Sequence, residues 1–390
     1  MKLTICHIIT TFISKSGSAR RTYAVCKALA KKYKVVLIVG KDYDPTGFSL
    51  EDIQIIKISE LQKYLDPIKD SIAFYKLYRV IKQLSPVVVH THLAKAGILG
   101  RLAAHLAGVQ WILHTVHGPT FSNFHPTFER ITFWTAEKLA SLVTDYFIFV
   151  GKSLQKFYTS NNLCKPYNSL VIKTGKDISQ IKKALVLPQN KISEIRKNLF
   201  QASEKELILG FVGRIVPSKN LEHLVKVAEL LKEKKVSFKI VIVGKALLKE
   251  ELWYERHIKK LIAKHNLNRH FVFLGFVKDI FPIFRALDLV ILTSRYEGLP
   301  NVLVEAGLCE RVCIAYNIGG AQEVIHDGET GFLVSYGNVY ELAEKIMEFL
   351  SNRKKFYAVG QKAREILEKE YSMEKMLSDY IQFYDMLLSS

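Results

Sequence analysis

The chain has 390 residues, 49% hydrophobic and 24% charged; the length suits two domains, and the balance excludes disordered, collagen-like and low-complexity classes. No apolar run reaches the ~18 residues that span a bilayer, the start Met1-Lys2-Leu3-Thr4-Ile5-Cys6-His7 carries no secretory signal, and five scattered cysteines (Cys6, Cys26, Cys164, Cys309, Cys313) read as reduced thiols of a cytosolic protein. The net charge of +19 is uneven, since residues 1–190 hold 26 basic and 11 acidic side chains, net +15, against +4 for the rest; such a field attracts an anionic partner, whether nucleic acid, anionic membrane or phosphorylated substrate.

In chain order, residues 2–9 form a short apolar run and 10–18 a polar loop. Residues 19–32 predict a helix, 35–39 and 53–58 strands, 71–84 a helix and 87–90 a strand. Asp42-Tyr43-Asp44, a pattern some metal-dependent sugar transferases use, precedes Pro45 and reads as surface loop. A helix at 94–106, a strand at 111–115, a helix at 128–142 and a strand end at 147–150 continue the alternation, which implies a parallel sheet covered on both faces. Residues 178–206 are polar and Lys-rich and read as a connector with one short helix. Strands at 207–212, 238–243, 271–274, 289–292, 312–315 and 332–334 then alternate with helices at 221–233, 250–265 and 301–309, and the last fifty residues read as helical throughout. The expected fold class is α/β, two Rossmann-like doubly wound domains whose ligands bind at the carboxyl ends of strands, in a cleft between facing sheets.

Three clusters carry candidate chemistry. The first runs from Gly210 to Asn220, where a strand ends in glycine and a loop sets Arg214 and Lys219 before a helix. Glycine lets backbone approach a ligand, and two cations beside a helix start suit a pyrophosphate; an ordinary β–α turn with two exposed cations is the other reading. The second runs from Ser294 to Ala306. Glu297 lies in a loop and Glu305 a little over one turn into a helix, with Gly298, Leu299, Asn301 and Val302 between them. Free N–H groups of such a start can hold a phosphate and the carboxylates can accept from sugar hydroxyls, or the segment is simply a capped surface helix. The third, His114-Thr115-Val116-His117-Gly118-Pro119, ends a strand; a lone histidine there is more simply a satisfied turn residue. His90-Thr91-His92 has no third metal ligand nearby in sequence and reads as structural, and Cys309 and Cys313 as core thiols. Gly244-Lys245 lacks a second glycine, and no Gly-x-Gly-x-x-Gly occurs, which argues against a dinucleotide site.

Together these pieces resemble the family-four retaining glycosyltransferases of the GT-B fold. The matching residues are Gly17, His117-Gly118, Gly213-Arg214 through Lys219-Asn220, Glu297-x7-Glu305, Gly319-Gly320 through Ile325, and Asp327-Gly328-Glu329-Thr330-Gly331. His90 through Arg101 and His114 through Gly118 are similar to the branch that builds capsular, exopolysaccharide and lipid-linked oligosaccharide chains in bacteria. The resemblance implies a hexosyltransferase with an acceptor-binding domain at 1–180, completed by a return helix at 372–390, a connector at 181–199 and a nucleotide-sugar-binding domain at 200–371. It implies that Glu305 binds the donor ribose, that Arg214 and Lys219 clamp the diphosphate, and that Glu297 holds a sugar hydroxyl while the amides around Gly298 and Leu299 orient the sugar. Gly17 would let the first loop approach the phosphate, and His117 would contact the sugar near its anomeric carbon. No metal or other cofactor is expected, because the two cations would stabilise the leaving diphosphate, whose own oxygen could take the acceptor's proton on the retained face. UDP is the expected nucleotide, with GDP second. Gly17-Ser18-Ala19-Arg20 departs from the family's frequent Gly-Gly-Ala-Glu, and Arg20 and Arg21 make that edge more basic.

Lys76, Arg79 and Lys82 with Phe74, Tyr75 and Tyr78 on one predicted helix, and a second basic segment from Arg20 to Lys34, suit an anionic bilayer; the first reads equally as a crossover helix whose apolar side packs on the sheet, and one helix can do both. The expected setting is therefore cytoplasmic, at the inner face of the membrane, with a lipid-linked glycan acceptor. A nucleic-acid binder lacks any recognition signature, so no nucleic-acid partner is expected; a GT-B epimerase would need no acceptor, and a catalytically dead binder would not keep Arg214, Lys219, Glu297 and Glu305.

Overall fold

A computed structural model describes residues 2–14, 16–118, 127–246 and 251–389; Pro119 of the third cluster, Leu247, Leu248 and Glu250 after Lys245, and Ser390 at the end of the expected return helix lie outside the described residues. The chain divides into two units, Met1–Gly175 with Glu374–Ser390, and Lys176–Met373.

The first unit is built on strands β1 (Thr4–Ile13), β2 (Lys34–Asp44), β3 (Ile53–Lys57), β4 (Val88–His92), β5 (Trp111–Val116), β6 (Tyr146–Phe149) and β7 (Ser169–Val171). They pair in parallel in the order β3-β2-β1-β4-β5-β6-β7. The second carries β8 (Leu207–Val212), β9 (Phe238–Val243), β10 (Phe271–Gly275), β11 (Leu289–Leu292), β12 (Val312–Tyr316) and β13 (Phe332–Val334), in the order β10-β9-β8-β11-β12-β13. Central runs such as Val35 to Val39 are wholly buried because helices cover both sheet faces, which is why they read as continuous apolar stretches. In each sheet the order reverses beside its first strand, between β1 and β4 and between β8 and β11. Loops leaving the carboxyl ends of those strands are where doubly wound sheets bind ligands.

Several elements differ from the sequence reading. β1 continues through residues 10–13, where Thr11, Phe12 and Ile13 pair with Asp42, Tyr43 and Asp44 beyond a bulge. Asp42-Tyr43-Asp44 therefore closes a strand and is not surface loop. Phe12 is fully buried against Tyr43 and Phe48, and that apolar contact outweighs the polar neighbours. The first helix begins at Gly17 and ends at Leu29. The connector holds two helices, Ile178–Leu185 and Gln189–Asn198, not one. Asp177 caps the first through Ser179 N, Pro188 opens the second, and Arg196 bonds Asp288 at 2.8 Å, which ties the segment to the second unit. The helical end is broken at Asn352 and Tyr371 into Val339–Ser351, Arg353–Glu370 and Met373–Ser389.

The basic segments also change. In helix Pro67–Leu84, Phe74 and Tyr78 pack inward on the core, while Ile68, Ile72, Tyr75, Arg79 and Lys82 make the exposed stripe. Arg21 is no surface cation. It is 2% exposed and donates to Ile172 O (2.6 Å), Thr174 Oγ1 (2.8 Å) and the Tyr380 hydroxyl (3.0 Å). Tyr380 comes from the last helix, Met373–Ser389, which also sets the Tyr384 hydroxyl 2.7 Å from His90 Nδ1.

Candidate functional site

The two loops of the second unit's switch point are stitched together. The loop after β8 passes Gly213 and Arg214, makes one tight turn at Pro217–Lys219, and enters helix Leu221–Glu233 through Asn220 in a left-handed conformation (φ 54°). The loop after β11 runs alongside it: Thr293 Oγ1 donates to Lys219 O at 2.9 Å and Arg295 N to Ser218 O at 2.8 Å. Lys219 Nζ is thereby held on Glu297, whose carboxylate also accepts from Ser294 Oγ at 2.6 Å. Gly298 and Leu299 are buried, and Asn301 and Val302 form the first turn of helix Asn301–Leu308, whose N–H groups have no helical carbonyl ahead of them. The buried Asn301 Oδ1 has no partner among the described residues. Glycine is required beneath this loop, because a Cβ on Gly320 would sit 2.7 Å from Gly298 O and 2.8 Å from Glu297 O. Gly244 serves the other loop likewise: at φ 124°, its Cβ would lie 1.9 Å from Gly213 O.

Arg214, Lys219, Glu297 and Glu305 each have an ionic partner within the second unit. Arg214, 44% exposed, is paired with Glu251, Lys219 with Glu297, and Lys176 Nζ lies 2.7 Å from Glu305 Oε1. The structure thus places Arg214, Lys219, Glu297, Gly298 and Leu299 on two adjoining loops, and Asn301, Val302 and Glu305 on the helix that the second loop enters. Sequence reasoning missed Lys176, Glu251 and Ser294. Only Ser294 had a signal, as a small hydroxyl three residues before Glu297.

Gly17 and His117 belong to the first unit. Gly17 opens helix Gly17–Leu29 after β1 and is exposed. His117 follows β5, partly buried, with Nε2 3.3 Å from His92 Nδ1. Register explains the company it keeps. His7 of β1 is level with His90 of β4, and His92 shares their face. His7, missed as a site residue, is thus the neighbour that a search along the sequence beside His90 and His92 does not find. Ligand nitrogens of His7, His90 and His92 lie within 4.8 Å of one another. Both His90 nitrogens are already engaged, by Tyr384 and by Thr115 Oγ1 at 2.7 Å, and His7 Nδ1 lies 3.0 Å from His92 Nε2, so the donor set is one of hydrogen-bonded neutral rings. Burial drives His7 down to about 3; burial, then the charge of Arg21, does the same to His117. Burial likewise holds His90, His92 and His114 well below the ordinary imidazole value.

Comparison with known proteins identifies both halves. The family Glycosyltransferase Family 4 matches residues 15–180, and Glycosyl transferases group 1 matches residues 192–366. The chain is 27% identical over 327 residues to the UDP-Gal:alpha-D-GlcNAc-diphosphoundecaprenol alpha-1,3-galactosyltransferase of Escherichia coli, covering 83% of this chain and 82% of that one. It is 25% identical over 386 residues to the capsular polysaccharide biosynthesis glycosyltransferase CapM of Staphylococcus aureus, covering 98% and 97%. In fold it matches Anabaena HepE, solved in complex with UDP and glucose, at a TM-score of 0.82 and 21% identity over the full length of both chains. It also matches the sucrose-phosphate synthase of Thermosynechococcus elongatus at a TM-score of 0.82 and 19% identity over 99% of each. With each half matched by its own family and the doubly wound fold shared, the chain belongs to the family-four glycosyltransferases of the GT-B fold.

Proposed function

We propose that the protein is a retaining, metal-independent hexosyltransferase that moves a sugar from UDP to a lipid-linked or polysaccharide acceptor during bacterial surface-glycan synthesis. The observation that carries this is the joined pair of loops at the second unit's switch point, with Arg214 and Lys219 on one loop, Glu297 and the start of helix Asn301–Leu308 on the other, and Glu305 within that helix. Arg214 and Lys219 supply two positive charges where a leaving diphosphate accumulates negative charge, the work a divalent cation does elsewhere. Their carboxylate partners keep the cations aimed until the more highly charged diphosphate replaces them. Glu305, freed from Lys176, accepts from ribose hydroxyls, and Glu297 from a sugar hydroxyl. The leaving phosphate oxygen takes the acceptor's proton, so attack occurs on the face the phosphate leaves. The named substrates of the Escherichia coli relative support UDP and a diphosphate-linked acceptor. Calorimetric titration without metal is expected to show UDP binding by the wild type and at least a tenfold loss in Glu305→Ala, the equivalent of about 1.4 kcal/mol. GDP binding with no UDP binding would reassign the nucleotide, and binding of neither would sink the donor site.

The first unit is the acceptor side in this reading, and it docks on the inner face of the membrane. No described helix is long and apolar enough to cross a bilayer. The exposed stripe of helix Pro67–Leu84 starts with Ile68, Ile72 and Tyr75 and ends with Arg79 and Lys82, with Tyr64 and Leu65 exposed just ahead of it. Apolar side chains followed by cations suit the acyl–headgroup boundary of an anionic leaflet. Co-sedimentation with liposomes is expected to rise with anionic lipid content and to fall in the double variant Ile68→Asp, Ile72→Asp; binding indifferent to lipid charge would contradict this.

A further inference from the structure

Behind the partly buried His117, two fully buried histidines of the first unit, His7 and His92, continue a line away from the site. His7 Nδ1 lies 3.0 Å from His92 Nε2, and His92 Nδ1 3.3 Å from His117 Nε2. At the far end, His7 Nε2 is buried and has no partner among the described residues. The rings of His7 and His92 are stacked at 11°, and His7 and His92 are 0% and 1% exposed, so neither end of their contact reaches water.

A neutral imidazole has one N–H and one lone pair, on opposite nitrogens. In a line of three such rings every hydrogen must therefore point the same way. In one sense His7 Nε2 carries a hydrogen that meets nothing. In the other that nitrogen is bare, His7 Nδ1–H donates to His92, and His92 Nδ1–H donates to His117 Nε2. A buried N–H without an acceptor is the rarer defect in folded proteins, so the second sense is favoured.

We propose that His7 and His92 are positioning residues for His117, their hydrogen-bonded line fixing its hydrogen on Nδ1 so that it presents an N–H donor to the substrate and not a base. This deepens the reading of His117 as a contact of the donor sugar and rests on it. An Nδ1–H meets a hydroxyl or phosphate oxygen of the substrate and cannot remove the acceptor's proton, which is left to the departing phosphate. Nor is the line a proton conduit. Passing a proton along it would require delivery at His7 Nε2, which is sealed in the sheet.

Long-range proton–nitrogen correlation spectra of the full chain, labelled with 15N at histidine, report which nitrogen of each ring carries hydrogen. They need no sugar nucleotide, so the outcome stands apart from the substrate assignment. With His117 assigned by its missing signals in His117→Gln, the wild type is expected to show hydrogen on Nδ1 of His7, His92 and His117. His7→Leu removes the donor at the line's end. It is expected to give mixed tautomers at His117 and to lower kcat roughly tenfold, with little change in KM for the donor, as for one lost oriented hydrogen bond. His7→Asn, whose amide N–H overlays Nδ1–H, is expected to restore the tautomer and most of the turnover. Hydrogen on Nε2 of wild-type His117, or a His117 tautomer unmoved in His7→Leu, overturns the proposal; should His7→Leu not fold, the wild-type spectrum decides alone.

Discussion

Replacing Lys219 by alanine is expected to lower kcat about 10²–10³-fold, the loss typical of removing one preorganised charge from a developing anion. Lys219 is only 20% exposed and is fixed at both its backbone, by Thr293, and its ammonium, by Glu297. In the proposed reaction its charge is in place before substrate arrives, and once the diphosphate has replaced Glu297 the chemical step involves no further reorganisation of that group. Nucleotide affinity is expected to fall much less, because charge on the diphosphate rises as the sugar–phosphate bond breaks, and the interaction strengthens with it. Lys219→Arg keeps the charge but replaces a compact ammonium with a planar fork, so partial recovery is expected. Release of UDP from a UDP-sugar, followed in both variants under saturating donor, measures this; kcat within threefold of wild type in Lys219→Ala would remove the cation from the transition state.

The second large effect is on stability. Acidification from pH 7 to pH 5 is expected to destabilise the first unit by about 4 kcal/mol through His7 and His117 alone. Their folded pKa values are lowered from 6.5 to about 3. Below pH 6.5 the unfolded chain therefore binds protons that the folded chain refuses, and stability falls by about 1.4 kcal/mol per group per pH unit until the folded values are reached. The sign is fixed: stability is full above pH 6.5 and lost as the pH drops toward 3. His90, His92 and His114 are shifted the same way and steepen the fall. Trp253→Phe leaves Trp111 and Trp134, both in the first unit, as fluorescence reporters. Their urea midpoint should drop sharply between pH 7 and 5, and an unchanged midpoint would mean that the imidazoles are not held neutral by burial.

The alternation of strands and helices was legible in the sequence because buried parallel strands read as unbroken β-branched runs. What escaped were elements fixed by partners distant in sequence. Residues 10–13 look like loop until the sheet pairs them with Asp42 to Asp44 and buries Phe12. Phe74 and Tyr78 share a helix with Tyr75, and only packing shows which aromatic faces inward. In the candidate site, spacing led to Arg214, Lys219, Glu297 and Glu305, but the groups that hold three of them, Glu251, Ser294 and Lys176, are chosen by the approach of loops. His7 is the clearest case: a polar residue inside an apolar strand demands a partner, and register alone names His90 and His92 as its neighbours.

The last helix, Met373–Ser389, has a consequence for synthesis. Residues up to Gly175 leave the ribosome first, yet Tyr380 and Tyr384, which complete the hydrogen bonds of Arg21 and His90, come from the final turns of the chain. At about 5–20 residues per second the intervening unit takes roughly ten to forty seconds to make. For that interval the nascent first unit lacks the two tyrosine hydroxyls that Arg21 and His90 meet, so the half that is translated first is the half that finishes last.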